Sequence, residues 1–144
     1  MSIENLQKNI DSLEKQIFWL DLSINECQKI GIKNEYTTDE FGRFETFCSR
    51  FARSIDFLVR KVWRSIDDFE FEKQGTLIDV VNNAYKRELF DDIYEVRMIK
   101  EIRNDIVHEY IDDGLLDVFE DVSEFSCKLL IIMHNTLKYA KELK

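Results

Sequence analysis

The sequence predicts an all-α fold, an up-down bundle of four long helices plus one short helix. Three observations carry this. Apolar residues recur at alternating three- and four-residue steps along most of the chain, the period of a helix that buries one stripe. The 144 residues contain no proline and only four glycines, so few positions interrupt a helix. No segment shows the polar/apolar alternation of a half-buried strand. The length fits one domain over residues 1–144 with a hydrophobic core of its own.

The first helix is predicted over 3–30. Ile3, Leu6, Ile10, Leu13, Ile17, Leu20, Ile24 and Cys27 form its seam, Ser2 is a candidate N-cap and Gly31 a candidate C-terminal stop. Phe18 and Trp19 widen the stripe, which predicts packing on more than one neighbour. The second helix is predicted over 38–69. Thr37 and Glu40 have capping-box spacing, and Phe41, Phe44, Cys48, Phe51, Ile55, Leu58, Val62, Ile66 and Phe69 point one way. After a polar break containing Gly75, a short helix is predicted over 77–88, with Thr76 and Asp79 as its capping pair and Leu77, Val80, Val81 and Ala84 inward. Asp91 or Asp92 caps a fourth helix over 93–109, which turns Ile93, Val96, Ile99, Ile102 and Ile106 to the core. The last helix, 115–142, buries Leu115, Val118, Val122, Phe125, Leu129, Ile132, Met133 and Leu137. The remaining Asp pairs, 67–68 and 112–113, read as caps and loop solvation.

Composition limits the function classes. The net charge of −9 argues against a general nucleic-acid-coating protein, because non-specific affinity comes from neutralising phosphates. One local basic site remains compatible with it. No apolar run approaches the ~20 residues that span a bilayer, and Met1–Asn9 is polar with no apolar segment behind it, so the expected location is cytoplasmic with no membrane partner. Cys27, Cys48 and Cys127 are odd in number and widely spaced, which suits small core residues better than disulfides. His108 and His134 are 26 residues apart without a cysteine cluster, so neither a metal nor another cofactor is expected.

Two features could carry chemistry. On the second helix, Arg43, Arg50, Arg53, Arg60, Lys61 and Arg64 fall within about 100° of arc opposite the apolar stripe. Six basic residues face Glu45 and Asp56 there, which makes 43–64 a +4 segment in an acidic chain. Phe57 lies within that face. Three readings fit it: a solvated face with a stray Phe, a dimer contact, or an RNA-tracking strip with a stacking aromatic, made of Arg50, Arg53, Phe57, Arg60, Lys61 and Arg64.

The second feature is residues 97–110, which carry Arg103, Asn104, His108 and Tyr110 as Arg-Asn-x3-His-x-Tyr. A histidine titrates near neutral pH, and an arginine offers a permanent forked cation for phosphate oxygens. On an ideal helix the two lie about 140° apart, so they flank a broad face rather than pair. Cleaving RNA without metal takes a base for the 2′-OH, an acid for the 5′-oxygen and positive charge for the transition state. One His cannot be acid and base at once, which points to a site completed by a second copy of the chain. The plain alternative is a surface arginine and an ordinary polar histidine.

The segment Ile102-Arg-Asn-Asp-Ile-Val-His-Glu-Tyr110 resembles the Arg-polar-x3-His signature of the HEPN superfamily, and with the added x-Tyr it looks most like the HepT toxin branch. The likeness extends over about 40–135, through the short helix before the motif and the Asp117-Val-Phe-Glu-Asp-Val run after it. The resemblance implies an all-helical homodimer acting as a metal-independent endoribonuclease, the toxin of a pair whose antitoxin is a minimal nucleotidyltransferase. It implies that Arg103 stabilises the phosphate, His108 is the acid/base, Asn104 orients the site and Tyr110 accepts AMP. An adenylyl group on Tyr110 would bring negative charge and bulk beside Arg103. HEPN relatives also include proteins without a demonstrated nuclease role, so the alternative is a non-catalytic nucleotide- or substrate-binding subunit of a nucleotidyltransferase complex.

Overall fold

The structure, a computed structural model, describes the backbone of residues 2–72, 75–112 and 114–143, and the side chains of 3–72, 75–109 and 114–143. Among the described residues every regular element is helical: α1 (Ser2–Ile30), α2 (Thr38–Phe57), a π turn (Leu58–Val62), α3 (Trp63–Phe69), α4 (Leu77–Lys86), α5 (Ile93–Asp112) and α6 (Leu115–Glu142). The ends follow local chemistry. Gly31, at φ 77°, donates its N–H to the Cys27 carbonyl and stops α1 in a conformation that a Cβ disfavours. Thr37 and Glu40 exchange both bonds of a capping box at α2, and Thr76 and Asp79 do the same at α4. Of the two candidates before α5, Asp92 is the cap: its Oδ1 accepts the Tyr94 N–H at 2.9 Å.

α1 packs on α2, α3 and α6, while α5 packs on α6 and α2. The core between them holds Leu6, Leu13, Leu20, Phe44, Phe51, Ile99, Phe119, Leu129 and Met133, all buried. The seam of α1 is narrower than its periodicity predicts. Ile3, Phe18 and Trp19 remain 56%, 60% and 46% exposed, so the two aromatics do not widen the buried stripe. Burial pushes the thiols of Cys27 and Cys48 up to about 12, as expected of core residues, whereas Cys127 is exposed rather than apolar-set.

The helix predicted over 38–69 is continuous but interrupted by the π turn, in which the Trp63 N–H bonds to the Leu58 carbonyl. One additional residue in a turn rotates everything beyond it by about 100° relative to a regular helix. On a regular helix Trp63 would sit near the edge of the apolar stripe; here it is fully buried. Its indole N–H donates to Thr136 Oγ1 at 3.1 Å, and its ring stacks on Phe90.

Asp67 is not loop solvation. It is buried and paired with Arg87, whose Nη1 donates to Asp67 Oδ1 and whose Nε donates to Glu70 Oε1, both at 2.6 Å. Tyr139 of α6 donates to the same Glu70 carboxylate. The network ties the C-terminal ends of α3, α4 and α6 together. Close by, Phe71 and Glu88 hold positive φ at 61° and 63° where glycine would be less strained.

Candidate functional site

α5 places Arg103 by burying Ile99, Ile102 and Ile106, which leaves Arg103 at the margin of the core facing α2. Its nearest partner is Asp56, in the last turn of α2, set there by its buried neighbour Ile55. Arg103 Nε donates to Asp56 Oδ1 at 3.0 Å and Oδ2 at 3.1 Å, and Nη2 donates to Oδ2 at 3.0 Å. Nη1 turns to Asn104 Oδ1 at 3.3 Å. The fork of the guanidinium is therefore engaged by a carboxylate of matching geometry. With side chains 33% and 36% exposed, the pair contributes at most about 1 kcal/mol to stability. Its greater consequence is competitive. A phosphate at Arg103 must either displace Asp56 or use the edge that Asp56 leaves open.

Around the pair is a depression of about 50 Å³ lined by Ile55, Asp56, Val59, Arg60, Lys100, Arg103 and Asn104 with Leu77. Three cations thus surround one carboxylate. Lys100 is not among the residues the sequence singled out, although its place one turn before Arg103 and Asn104 on the same helix face could have found it. Asp56 was not legible, because the contact spans 47 residues and no local pattern encodes it.

His108 is exposed and does not line this depression, so a single chain does not bring Arg103 and His108 together. The Tyr110 side chain lies outside the described residues.

The basic strip on α2 separates into distinct environments. Arg50 is half-buried: Nη1 donates to Ser23 Oγ at 2.8 Å and to the Trp19 carbonyl at 3.3 Å, and its guanidinium covers the Trp19 ring at 4.9 Å. Arg53 is exposed and donates to the Ser49 carbonyl. Phe57 is not a free stacking aromatic but a half-buried ring packed against the core. Arg60 and Lys61 are exposed within the π turn, while Arg64 donates to the Gly75 carbonyl. Arg43 is taken up by ion pairs with Asp39 and Glu26.

Phe57, Arg60, Lys61 and Arg64 form one side of a groove of about 490 Å³, whose other side is α1. Arg60 also lines the Arg103 depression, so groove and depression share a residue. On the opposite side of α5, Asp105 lies near Asp121 of α6; burial first, and then the charges of Asp105, Glu124 and Glu120, push the Asp121 carboxyl above its ordinary value. Among the described residues no group of His, Cys, Asp and Glu could hold a metal ion, and no helix is long and apolar enough to cross a membrane. No family model matches the chain, and neither curated proteins nor solved structures give a match.

Proposed function

We propose that this chain is a metal-independent endoribonuclease of the HEPN kind, a HepT-like toxin that works as an up-down helical-bundle homodimer and pairs with a minimal nucleotidyltransferase antitoxin. The observation that supports it best is the convergence of Arg60, Lys100, Arg103 and Asn104 on one depression, which shares Arg60 with a basic groove. In this reading a phosphodiester takes the cationic edge left by Asp56. The substrate 2′-OH loses its proton to one imidazole and attacks phosphorus, while a second imidazole protonates the departing 5′-oxygen. Arg103 stabilises the charge that develops on the phosphoryl oxygens. Because one His108 cannot be base and acid at once, the two imidazoles come from two copies of the chain facing each other.

The test is cleavage of single-stranded RNA in EDTA by wild type, Arg103→Ala and His108→Ala. Wild type is expected to cleave, and each variant to lose about 100-fold or more. An inactive wild type, or variants as active as wild type, would refute the nuclease. Tyr110 is proposed as the point of control. The antitoxin transfers AMP from ATP to its phenol oxygen and releases pyrophosphate. Co-expression is expected to add whole AMP masses to wild type and none to Tyr110→Phe; a variant that still gains them eliminates this site.

The Asp56 clamp on Arg103 favours a second reading, a non-catalytic nucleotide- or substrate-binding subunit of a nucleotidyltransferase complex. In that case the wild type binds its partner without cutting RNA.

A further inference from the structure

The strip on α2 faces a second wall that its own sequence does not contain. Asn5, Lys8, Asn9 and Ser12 of α1 line the groove opposite Arg60, Lys61 and Arg64. Asn9 fastens the two walls, donating to Ser65 Oγ and, at 3.4 Å, to the Lys61 carbonyl. One turn further along the same α1–α2 seam, Gln16, Trp19, Arg50, Arg53 and Ser54 line a second depression of about 280 Å³. Trp19 keeps 46% of its surface exposed although Arg50 covers one face.

The cations are available. Among the described residues, Lys8, Arg60 and Lys61 have no ion-pair partner. The groove's lining carboxylate is Asp68, against four basic side chains. From Arg50 to Arg64 the seam runs about 20 Å by helical rise. A positive channel with a half-open indole at one end, in a chain of net charge −9, is built for a polyanion that also stacks.

We propose that the α1–α2 seam is a track for single-stranded nucleic acid, in which Lys8 neutralises a backbone phosphate and Trp19 stacks on a base. The strand enters the Arg103 depression past Arg60. This deepens the nuclease reading and rests on it only for what happens at Arg103. A duplex presents paired, stacked bases that cannot reach the indole, so the track selects single strands.

The test is titration of the full chain with a labelled, 2′-O-methylated single-stranded oligoribonucleotide, which resists cleavage, at several salt concentrations. Lys8→Gln is expected to weaken binding at least fivefold at low salt and to reduce the slope of log affinity against log salt by about 0.7. Trp19→Ala is expected to weaken it at least fivefold with the slope unchanged. Lys128→Gln makes the same charge change on α6 and should bind like wild type. Thermal melting of each variant separates lost binding from lost folding, and both side chains are exposed enough to leave the core intact. Four results overturn the track: no binding by wild type at low salt, Lys8 and Trp19 variants within twofold of wild type, an equal loss in Lys128→Gln, or a duplex bound as tightly as the single strand. Binding that depends on Lys8 and Trp19 without any cleavage leaves the track standing and removes the nuclease. Cleavage that depends on Arg103 and His108, with wild-type binding in the seam variants, does the reverse.

Discussion

Arg87→Ala is expected to lose about 3–5 kcal/mol of stability, a melting-temperature drop of roughly 10–20 °C for a chain of this size. The reason is the charge left behind. Arg87 and Asp67 have side chains only 8% and 3% exposed, so removing the guanidinium strands a carboxylate away from water. Glu70 loses a partner as well but is better solvated, at 29% exposure, and retains the Tyr139 hydroxyl. The same network holds the ends of α3 and α4, where Phe71 and Glu88 occupy left-handed backbone without being glycine. Urea unfolding of the variant measures the loss. A double change, Asp67→Asn with Arg87→Met, should recover at least half of it, because it removes both charges instead of one. If Arg87→Ala unfolds within 1 kcal/mol of wild type, the network is ornamental and the two helix ends are held by packing alone.

Trp63→Ala is expected to cost a similar amount, about 3–5 kcal/mol, through lost apolar burial and the cavity it leaves. Trp63 is fully buried and stacked on Phe90, and its N–H is satisfied by Thr136. Thr136 in turn donates to the Ile132 carbonyl at 2.8 Å, so its own proton is satisfied without the indole. Trp63→Phe should therefore be milder, about 1–2 kcal/mol. The larger change also removes what draws the chain into the π turn. Amide hydrogen exchange across Leu58–Val62 is expected to rise in Trp63→Ala well beyond the change at α1, since the turn then has no buried anchor downstream. Equilibrium unfolding within 1.5 kcal/mol of wild type, with unchanged exchange in the turn, would mean that backbone preference rather than Trp63 makes the π turn.

Most helix ends were legible because they are decided within a few residues. Thr37 with Glu40, Thr76 with Asp79, and Gly31 each satisfy backbone groups one turn away, and a capping bond forms whatever the rest of the chain does. Most of the inward positions of α5 and α6 were legible for the related reason that an uninterrupted helix preserves its angular order, although the fully buried Phe119 was missed and Ile93, Phe125 and Leu137 are only partly buried. α2 broke that order. Trp63 was missed as core because a π turn has no local signature in this sequence and is chosen by what must pack beyond it. Asp67 was mistaken for loop solvation because its partner, Arg87, is 20 residues away.

The same division runs through the candidate site. By itself the sequence determined the helical class and its caps, the cationic face of α2, and a motif that sets Arg103, Asn104 and His108 on one helix. All of these rest on spacing along one axis. Only the tertiary structure decided that Asp56 grips Arg103, that Phe57 is half-buried, that His108 is apart from the Arg103 depression, and that Lys8 and Trp19 of α1 stand along the seam beside the basic face. Those relations join residues on different helices, and which helices meet, at what rotation, depends on packing the whole core at once. Helical periodicity says which way a side chain points. It does not say what the side chain will find there.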